Sequence, residues 1–442
     1  MSSPAGLLSR QGEGGDDGDD RRQPRFTLEP YPRLPVVRFL EAAAERHPGR
    51  PALISLDGNH LTFGQAWSMV QRCITHLQRA GIQRGDCVGL LAPSSPEALT
   101  LAWGVMGSSA VAVPMNPLYK EGELIRHLQD ADCWALFVAG ALRPLTEAAR
   151  AAVPSLRHVG EGEWMPEEMA GLPEAHVPPD LDPAENVAAL PYSSGTTGFP
   201  KGVMLTHSNL VANIRQCMAA GILAPTRPLL NYMPPFHVYG FVALMGMSFA
   251  AGVPQVVIQR FGPELILNLV AEHRVAVLYT VPPALMALLE AARQRKRDLS
   301  SLRLIVTGAA PTPEEIARRA ESEFGACVCQ PYGLSEATAA TNINPWTLSK
   351  HASVGPPIPD TEEKVVDLET GEELPQGEVG ELLVRGPQVM KGYWRNAEAT
   401  AATLTEDGWL RTGDIARHDE DGYLYIAWRL MSSREATAPS FT

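Results

Sequence analysis

Long hydrophobic runs are missing from this sequence. A membrane span needs roughly 18 consecutive apolar residues, and the most apolar window, Phe241 to Val253, is shorter and interrupted by Gly246 and Gly252. The first residues carry no basic region leading into an apolar segment, and Gly12 to Asp20 is acidic, so neither a secretory nor a mitochondrial presequence is expected and a cytoplasmic location is the default. Positive charge is also scarce. Lys and Arg total 37 against 50 Asp and Glu, a net charge of −13. A nucleic-acid partner, which needs a concentrated basic face, is thereby disfavoured, as is an anionic membrane surface. Cysteine is sparse and unpatterned: Cys73, Cys87, Cys133, Cys217, Cys327 and Cys329 sit in apolar surroundings without CxxC spacing. Free buried thiols fit this better than bridges or zinc, with Cys327 and Cys329 on one face of a strand.

What is present is ample core material. With 442 residues, 45% hydrophobic and 20% charged, the chain holds more than one packed unit. Residues 1–30 offer little to bury and read as a disordered tail. From Val36 onward, short apolar strands alternate with amphipathic helices. Helical spacing is clear over Val36–His47, Phe63–Ala80, Pro96–Met106 and Glu121–Gln129, and buried strands are expected at 51–56, in DCVGLLAP, and at Ala110–Pro114 and Trp134–Val138. A Pro-, Glu- and Gly-rich stretch, about 154–185, reads as a surface connection. The alternation then resumes, with helices near His207–Ala219, from His237, at Ala284–Ala292 and at Thr312–Phe324, and strands at Leu229–Met233, Gln255–Ile258, Val275–Tyr279 and Leu302–Thr307.

Such alternation marks a doubly wound, mostly parallel sheet. The expected class is therefore α/β, with two such lobes over residues 31–353 and ligands at the carboxyl ends of the strands. From about Val354 the texture turns to short strands between glycines, so residues 354–427 read as a small β-barrel-like subdomain.

The most informative stretch is PYSSGTTGFPKGVMLTHSNL, Pro191 to Leu210. It reads as a strand, an anion-holding loop and a helix. Gly195 and Gly198 allow tight turning, while Ser193, Ser194, Thr196 and Thr197 place hydroxyls beside free N–H groups. Lys201 adds a mobile positive charge, which suits a polyphosphate. A Walker loop needs its lysine directly after a glycine and before Ser or Thr, but here Pro200 precedes Lys201 and Gly202 follows.

At this stretch the sequence resembles the adenylate-forming superfamily of acyl-CoA synthetases, aryl-CoA ligases, luciferases and peptide-synthetase adenylation domains. YGLSE at 332–336 and WLRTGD at 409–414 repeat the resemblance in the same order, and it covers about Pro35 to Ala427. It implies that a carboxylic acid, ATP and Mg²⁺ are first-step substrates and cofactor, with CoA as acceptor. By resemblance, Thr196, Thr197 and Lys201 hold the β- and γ-phosphates, Tyr332 and Gly333 face adenine, Ser335 donates to the α-phosphate and Glu336 is an oxygen ligand for Mg²⁺. By resemblance Asp414 accepts from the ribose hydroxyls, although an Asp after Gly413 taken by itself is more often the mark of a turn. Arg429 stands where the family has a second ribose-binding arginine.

On the acyl side, PPFHVYGF matches a segment in which His237 gates or lines the carboxylate pocket, and TGAAP sets Gly308 and Ala309 against adenine and the acyl group. A lone histidine is otherwise more often a core residue. No aspartate for a substrate amine appears between Pro234 and Val253, which favours an uncharged fatty or aryl tail over an amino acid. The implied catalytic set is Lys201, Thr197, His237 and Glu336, with Glu336 as the metal ligand.

The resemblance stops at Trp428, and Met431 falls where the family has a hinge, so residues 428–442 read as a tail outside the family pattern and the family's C-terminal lid with its catalytic lysine is expected to be absent. Weak acyl-adenylate formation and little CoA ligation are the expectation. An acyl-AMP ligase serving a carrier protein and an inactive nucleotide- or acyl-binding protein are the alternatives.

Overall fold

The largest sheet is built around strands that are apolar on both faces. In the computed structural model, which describes residues 27–162, 169, 171–178, 180–193, 200–346 and 348–429, Cys87–Leu91 and Val111–Met115 are buried at every position. They are flanked in parallel by Cys133–Ala139, His158–Gly162 and Val187–Ala189. Lys201–Thr206 then pairs antiparallel to Val187–Ala189, and Gly392–Tyr393 closes that edge. Helices cover the sheet. The helix Phe63–Ala80 starts where Thr62 and Gln65 cap each other reciprocally and stops at Gly81, whose φ of 92° suits only glycine. It packs closely on Pro96–Gly107, where a Cβ on Gly104 would lie 2.5 Å from Cys73.

Two further groups of strands make the second lobe. Leu229–Asn231, Gln255–Val257, Pro51–Ile54 and His60–Thr62 form one, and Val277–Thr280, Leu304–Thr307 and Cys327–Cys329 form a parallel three-stranded one. The lobes share elements: Pro51–Ile54 pairs in parallel with Gln255–Val257. They also share a core, since Trp103 meets Phe249 edge-on with ring centroids 4.7 Å apart. Glu362–Val366, Gly380–Arg385, Leu410–His418 and Leu424–Arg429 form a four-stranded antiparallel sheet.

One face of the helix His207–Ala219 joins these parts. Asn209 Nδ2 donates to the carbonyls of Pro387 and Val389 at 2.8 Å. Asn213 Nδ2 donates to the Ala340 carbonyl at 2.8 Å while the Ala340 amide donates back at 3.2 Å, and Gln216 Nε2 reaches the Pro359 carbonyl at 2.7 Å. All three side chains are buried, so each bond replaces water that the group gave up. At the other end of the chain, the Leu28 amide and Tyr31 hydroxyl both donate to Asp360, at 2.9 and 2.6 Å; residues 1–26 of the expected tail lie outside the described residues.

Several local expectations are corrected. Lys201–Thr206 is a strand and not a loop running into a helix, because Val203 and Leu205 are buried and the segment pairs on both sides. The helix begins only at His207, capped by Thr206 Oγ1, which accepts from the Asn209 amide at 3.2 Å. The stretch read as surface connection contains the edge strand His158–Gly162. The helix from His237 is a π-helical turn, Tyr239–Leu244, continuing into Met245–Ala251; a Cβ on Gly240 would come within 2.7 Å of the Pro234 carbonyl. A helix at Pro263–Glu272 was not expected. The cysteines behave as read: all six are free and only Cys327 is not buried.

Candidate active site

A cavity of about 190 Å³ opens where Leu304–Thr307 and Cys327–Cys329 end, the carboxyl-edge position expected for a ligand in such sheets. Of the residues singled out from sequence, Ser193, His237, Gly308, Ala309, Tyr332, Gly333, Ser335 and Glu336 all line it. Ser194, Gly195, Thr196, Thr197 and Gly198 lie outside the described residues.

Each wall has a local cause. Gly308 follows the strand Leu304–Thr307, its amide donating to the Thr280 carbonyl at 3.2 Å, and Ala309 adopts φ of 66°, a left-handed conformation in which a small side chain costs least. Gly333 is required by contact: a Cβ there would lie 1.9 Å from the Ala339 carbonyl oxygen. The turn it permits brings Ser335 and Glu336 to the cavity on one short 3₁₀ turn, Ser335–Ala337. Thr338 follows at φ of 67°, held by a 2.7 Å bond from its hydroxyl to the Gln388 carbonyl.

Asp414 sits on the strand Leu410–His418 and is buried. Its Oδ2 accepts from the Tyr332 hydroxyl at 2.6 Å, so the ring expected to face adenine is tied to the carboxylate expected to face the ribose. The backbone of Arg429 pairs directly with Asp414 on the neighbouring strand. The Tyr332 bond gives a measurable expectation. Tyr332→Phe leaves a buried carboxylate without one donor, a charged hydrogen bond worth about 1.5–3 kcal/mol to the folded protein, so the melting temperature should fall, and with Asp414 no longer held in place ATP affinity by calorimetry should fall as well. Unchanged affinity would show that this bond does not shape the nucleotide subsite.

His237 is exposed at the cavity mouth. Its Nδ1 accepts from the Tyr239 amide at 3.2 Å, which places the proton of the neutral ring on Nε2. Although exposed by area, the ring is crowded by protein, and the lost hydration lowers its pKa. It is therefore neutral at pH 7. The deeper wall is apolar, formed by Cys217, Ile222, Val238, Ala243, Met247 and Tyr279. Burial pushes the Cys217 thiol up to about 12, which keeps it protonated. The Tyr279 and Tyr239 hydroxyls donate to the carbonyls of Ile222 and Val306, at 2.5 and 3.2 Å.

Lys201 lies beside the cavity on the first residue of its strand, its Nζ 5.0 Å from the centroid of the Tyr393 ring. The Tyr393 hydroxyl in turn donates to Glu336 Oε1 at 2.7 Å. Sequence reasoning missed Tyr393, and KGYWRN carries no local signal that would have marked it. Among the described residues no group of three or more His, Cys, Asp or Glu could hold a metal by itself. One buried carboxylate in a cavity fits Mg²⁺ that arrives with a nucleotide, since that ion is usually held by one or two carboxylates and substrate phosphates.

The profile of the AMP-binding enzyme family matches residues 40–394. The chain belongs to the AMP-binding enzyme family. Among curated proteins it is 33% identical over 435 residues to the long-chain-fatty-acid-CoA ligase of Bacillus subtilis (strain 168), covering 90% of this chain and 77% of that one. It is 34% identical over 396 residues to 4-coumarate-CoA ligase 4 of Arabidopsis thaliana, covering 84% and 69%. Among solved structures, a long-chain-fatty-acid-CoA ligase from Archaeoglobus fulgidus aligns with TM-score 0.86 at 29% identity, over 92% of this chain and 86% of that one. The N-terminal domain of FACL13 from Mycobacterium tuberculosis aligns with TM-score 0.83 at 27% identity, over 90% of this chain and all of that one. This AMP-binding enzyme thus has the α/β architecture read from its strand and helix alternation, and no helix among the described residues is long and apolar enough to cross a membrane.

Proposed function

We propose that this AMP-binding enzyme joins a carboxylic acid with an uncharged fatty or aryl tail to the α-phosphate of ATP, as the first step toward a CoA thioester. The observation that carries this reading is that one cavity unites the YGLSE turn and the Gly308–Ala309 wall with a chamber whose side chains are uncharged. Relatives with CoA-ligase names act, by those names, on long-chain fatty acids and on 4-coumarate, one fatty and one aryl.

In this reaction a carboxylate oxygen attacks the α-phosphorus, and the bond from that phosphorus to the bridging oxygen of pyrophosphate breaks. The chain's own groups divide the work. By the family resemblance, Lys201, Thr196 and Thr197 would hold the β- and γ-phosphates, where negative charge collects as pyrophosphate leaves. Ser335 donates toward the α-phosphate. By the same resemblance the ribose would lie against Asp414, with Arg429 as the second ribose-binding residue, and adenine against Tyr332, Gly333 and the Gly308–Ala309 backbone. His237, neutral and fixed in one tautomer, presents Nε2–H at the mouth to orient the incoming carboxylate without neutralising it. Glu336 would hold Mg²⁺, which when bound would offset phosphate charge. The apolar chamber excludes water from the acyl tail and takes up its surface.

ATP–pyrophosphate exchange with a panel of acids tests the reading. Exchange should depend on fatty or aryl acids and be absent with amino acids and dicarboxylates. Exchange driven by amino acids, or none with any acid, would overturn it.

A further inference from the structure

Two opposite charges in this site meet the same side chain and do not pair. Glu336 is 6% exposed, and it and Lys201 both contact the Tyr393 side chain, yet the two form no ion pair. In a buried setting, opposite charges within reach attract strongly, and a Lys–Glu pair here would tie up the two groups that a metal–nucleotide complex needs free.

What lies between them is Tyr393. Its ring is under the Lys201 ammonium, with Nζ 5.0 Å from the centroid, and its hydroxyl donates to Glu336 Oε1 at 2.7 Å. We propose that Tyr393 is a positioning residue that keeps the Lys201 ammonium and the Glu336 carboxylate apart and aims the carboxylate at the metal carried by ATP; this rests on the nucleotide reading above. The ring face attracts the ammonium without neutralising it. The hydroxyl occupies one carboxylate oxygen and fixes the plane of the group, as partners behind a metal ligand commonly do.

Tyr393 is itself over-determined, which a spacer has to be. It is 6% exposed, its amide donates to Thr400 Oγ1 at 2.9 Å, and its strand pairs with Met204 and Val203 on the strand that begins with Lys201. Glu336 is anchored from the same segment, its carbonyl accepting from the Met390 amide at 2.8 Å. The approach of Gly392 is close enough that a Cβ there would meet Thr400 Cγ2 at 2.8 Å. One short stretch, 390–393, therefore sets lysine and glutamate relative to each other.

The test is ATP binding to the full 442-residue chain by calorimetry, with and without Mg²⁺. Tyr393→Phe keeps the spacer and loses the hydroxyl: the Mg²⁺ concentration that half-saturates the gain in ATP affinity should rise about 10-fold or more, while affinity for metal-free ATP stays within about twofold. Glu336→Asp, which draws the carboxylate back by one methylene but keeps its charge, should give the same shift, and the double variant should be no worse than either, because both break one contact. Tyr393→Leu removes the ring and lets Lys201 fall onto Glu336, so metal-free ATP affinity should drop as well. An unchanged Mg²⁺ midpoint in both Tyr393→Phe and Glu336→Asp, or additive losses in the double variant, would overturn the proposal. Absence of ATP binding by the unmodified chain would instead overturn the functional reading beneath it.

Discussion

Replacement of Lys201 by alanine is expected to lower the acid-dependent exchange rate, as kcat/KM for ATP, by about 10² to 10³ with almost no loss of stability. The magnitude is that of removing one charge donor from a site where charge develops, about 2.7–4 kcal/mol. The stability side follows from position. Lys201 begins a strand, is only partly buried, and its side chain's described contact is with the Tyr393 ring, an interaction worth about 0.5–1 kcal/mol. Strand pairing through the Lys201–Thr206 backbone does not depend on the side chain. Exchange kinetics beside a thermal melt separate the two effects. A rate within threefold of the unmodified chain would place the lysine outside the reaction.

Gly333→Ala is expected to be more damaging to both. Its added carbon would lie 1.9 Å from the Ala339 carbonyl oxygen and 2.7 Å from Ala340 Cα. These are backbone atoms, and Ala340 is fixed at both its N–H and its C=O by Asn213, so the strain cannot be relieved by a side-chain rotation. Overpacking of this kind costs about 1–3 kcal/mol or more. The turn that must yield also carries Ser335 and Glu336, and a displacement of about 1 Å in such groups can cost about 10²-fold in rate. A lowered melting temperature together with at least that loss of exchange is the expected pair of results. Full stability and full exchange in the alanine variant would mean that the turn relaxes elsewhere.

How far the sequence reveals this protein depends on how local each signal is. The helix Phe63–Ala80 was legible to its last residue because its start, its apolar spacing and its Gly81 stop all lie within it. Cys87–Leu91 was legible because a fully buried strand is apolar throughout. The strand Lys201–Thr206 was not, since its outer partner is Gly392–Tyr393, far along the chain, and glycine and lysine at its start suggest a loop. His158–Gly162 was hidden by Pro, Glu and Gly around it, and the π-helical turn by a hydrophobic pattern that also fits an α-helix.

The cavity shows the same division. His237, Gly308, Tyr332, Ser335 and Glu336 could be marked by motif, and the fold brings them together. The bonds from Tyr332 to Asp414 and from Tyr393 to Glu336 join residues 82 and 57 positions apart, and nothing in either neighbourhood announces the pairing.

The sharing of strands between the lobes bears on how this chain is made. Pro51–Ile54 cannot acquire its parallel neighbour until residues 255–257 have been synthesised, and the edge beside Lys201–Thr206 stays open until residues 392–393 arrive. Closing such distant loops slows the search for the native arrangement. During translation the unpaired edges are exposed templates for other chains, so the nascent protein should depend on chaperones more than a domain whose strands meet their neighbours in order.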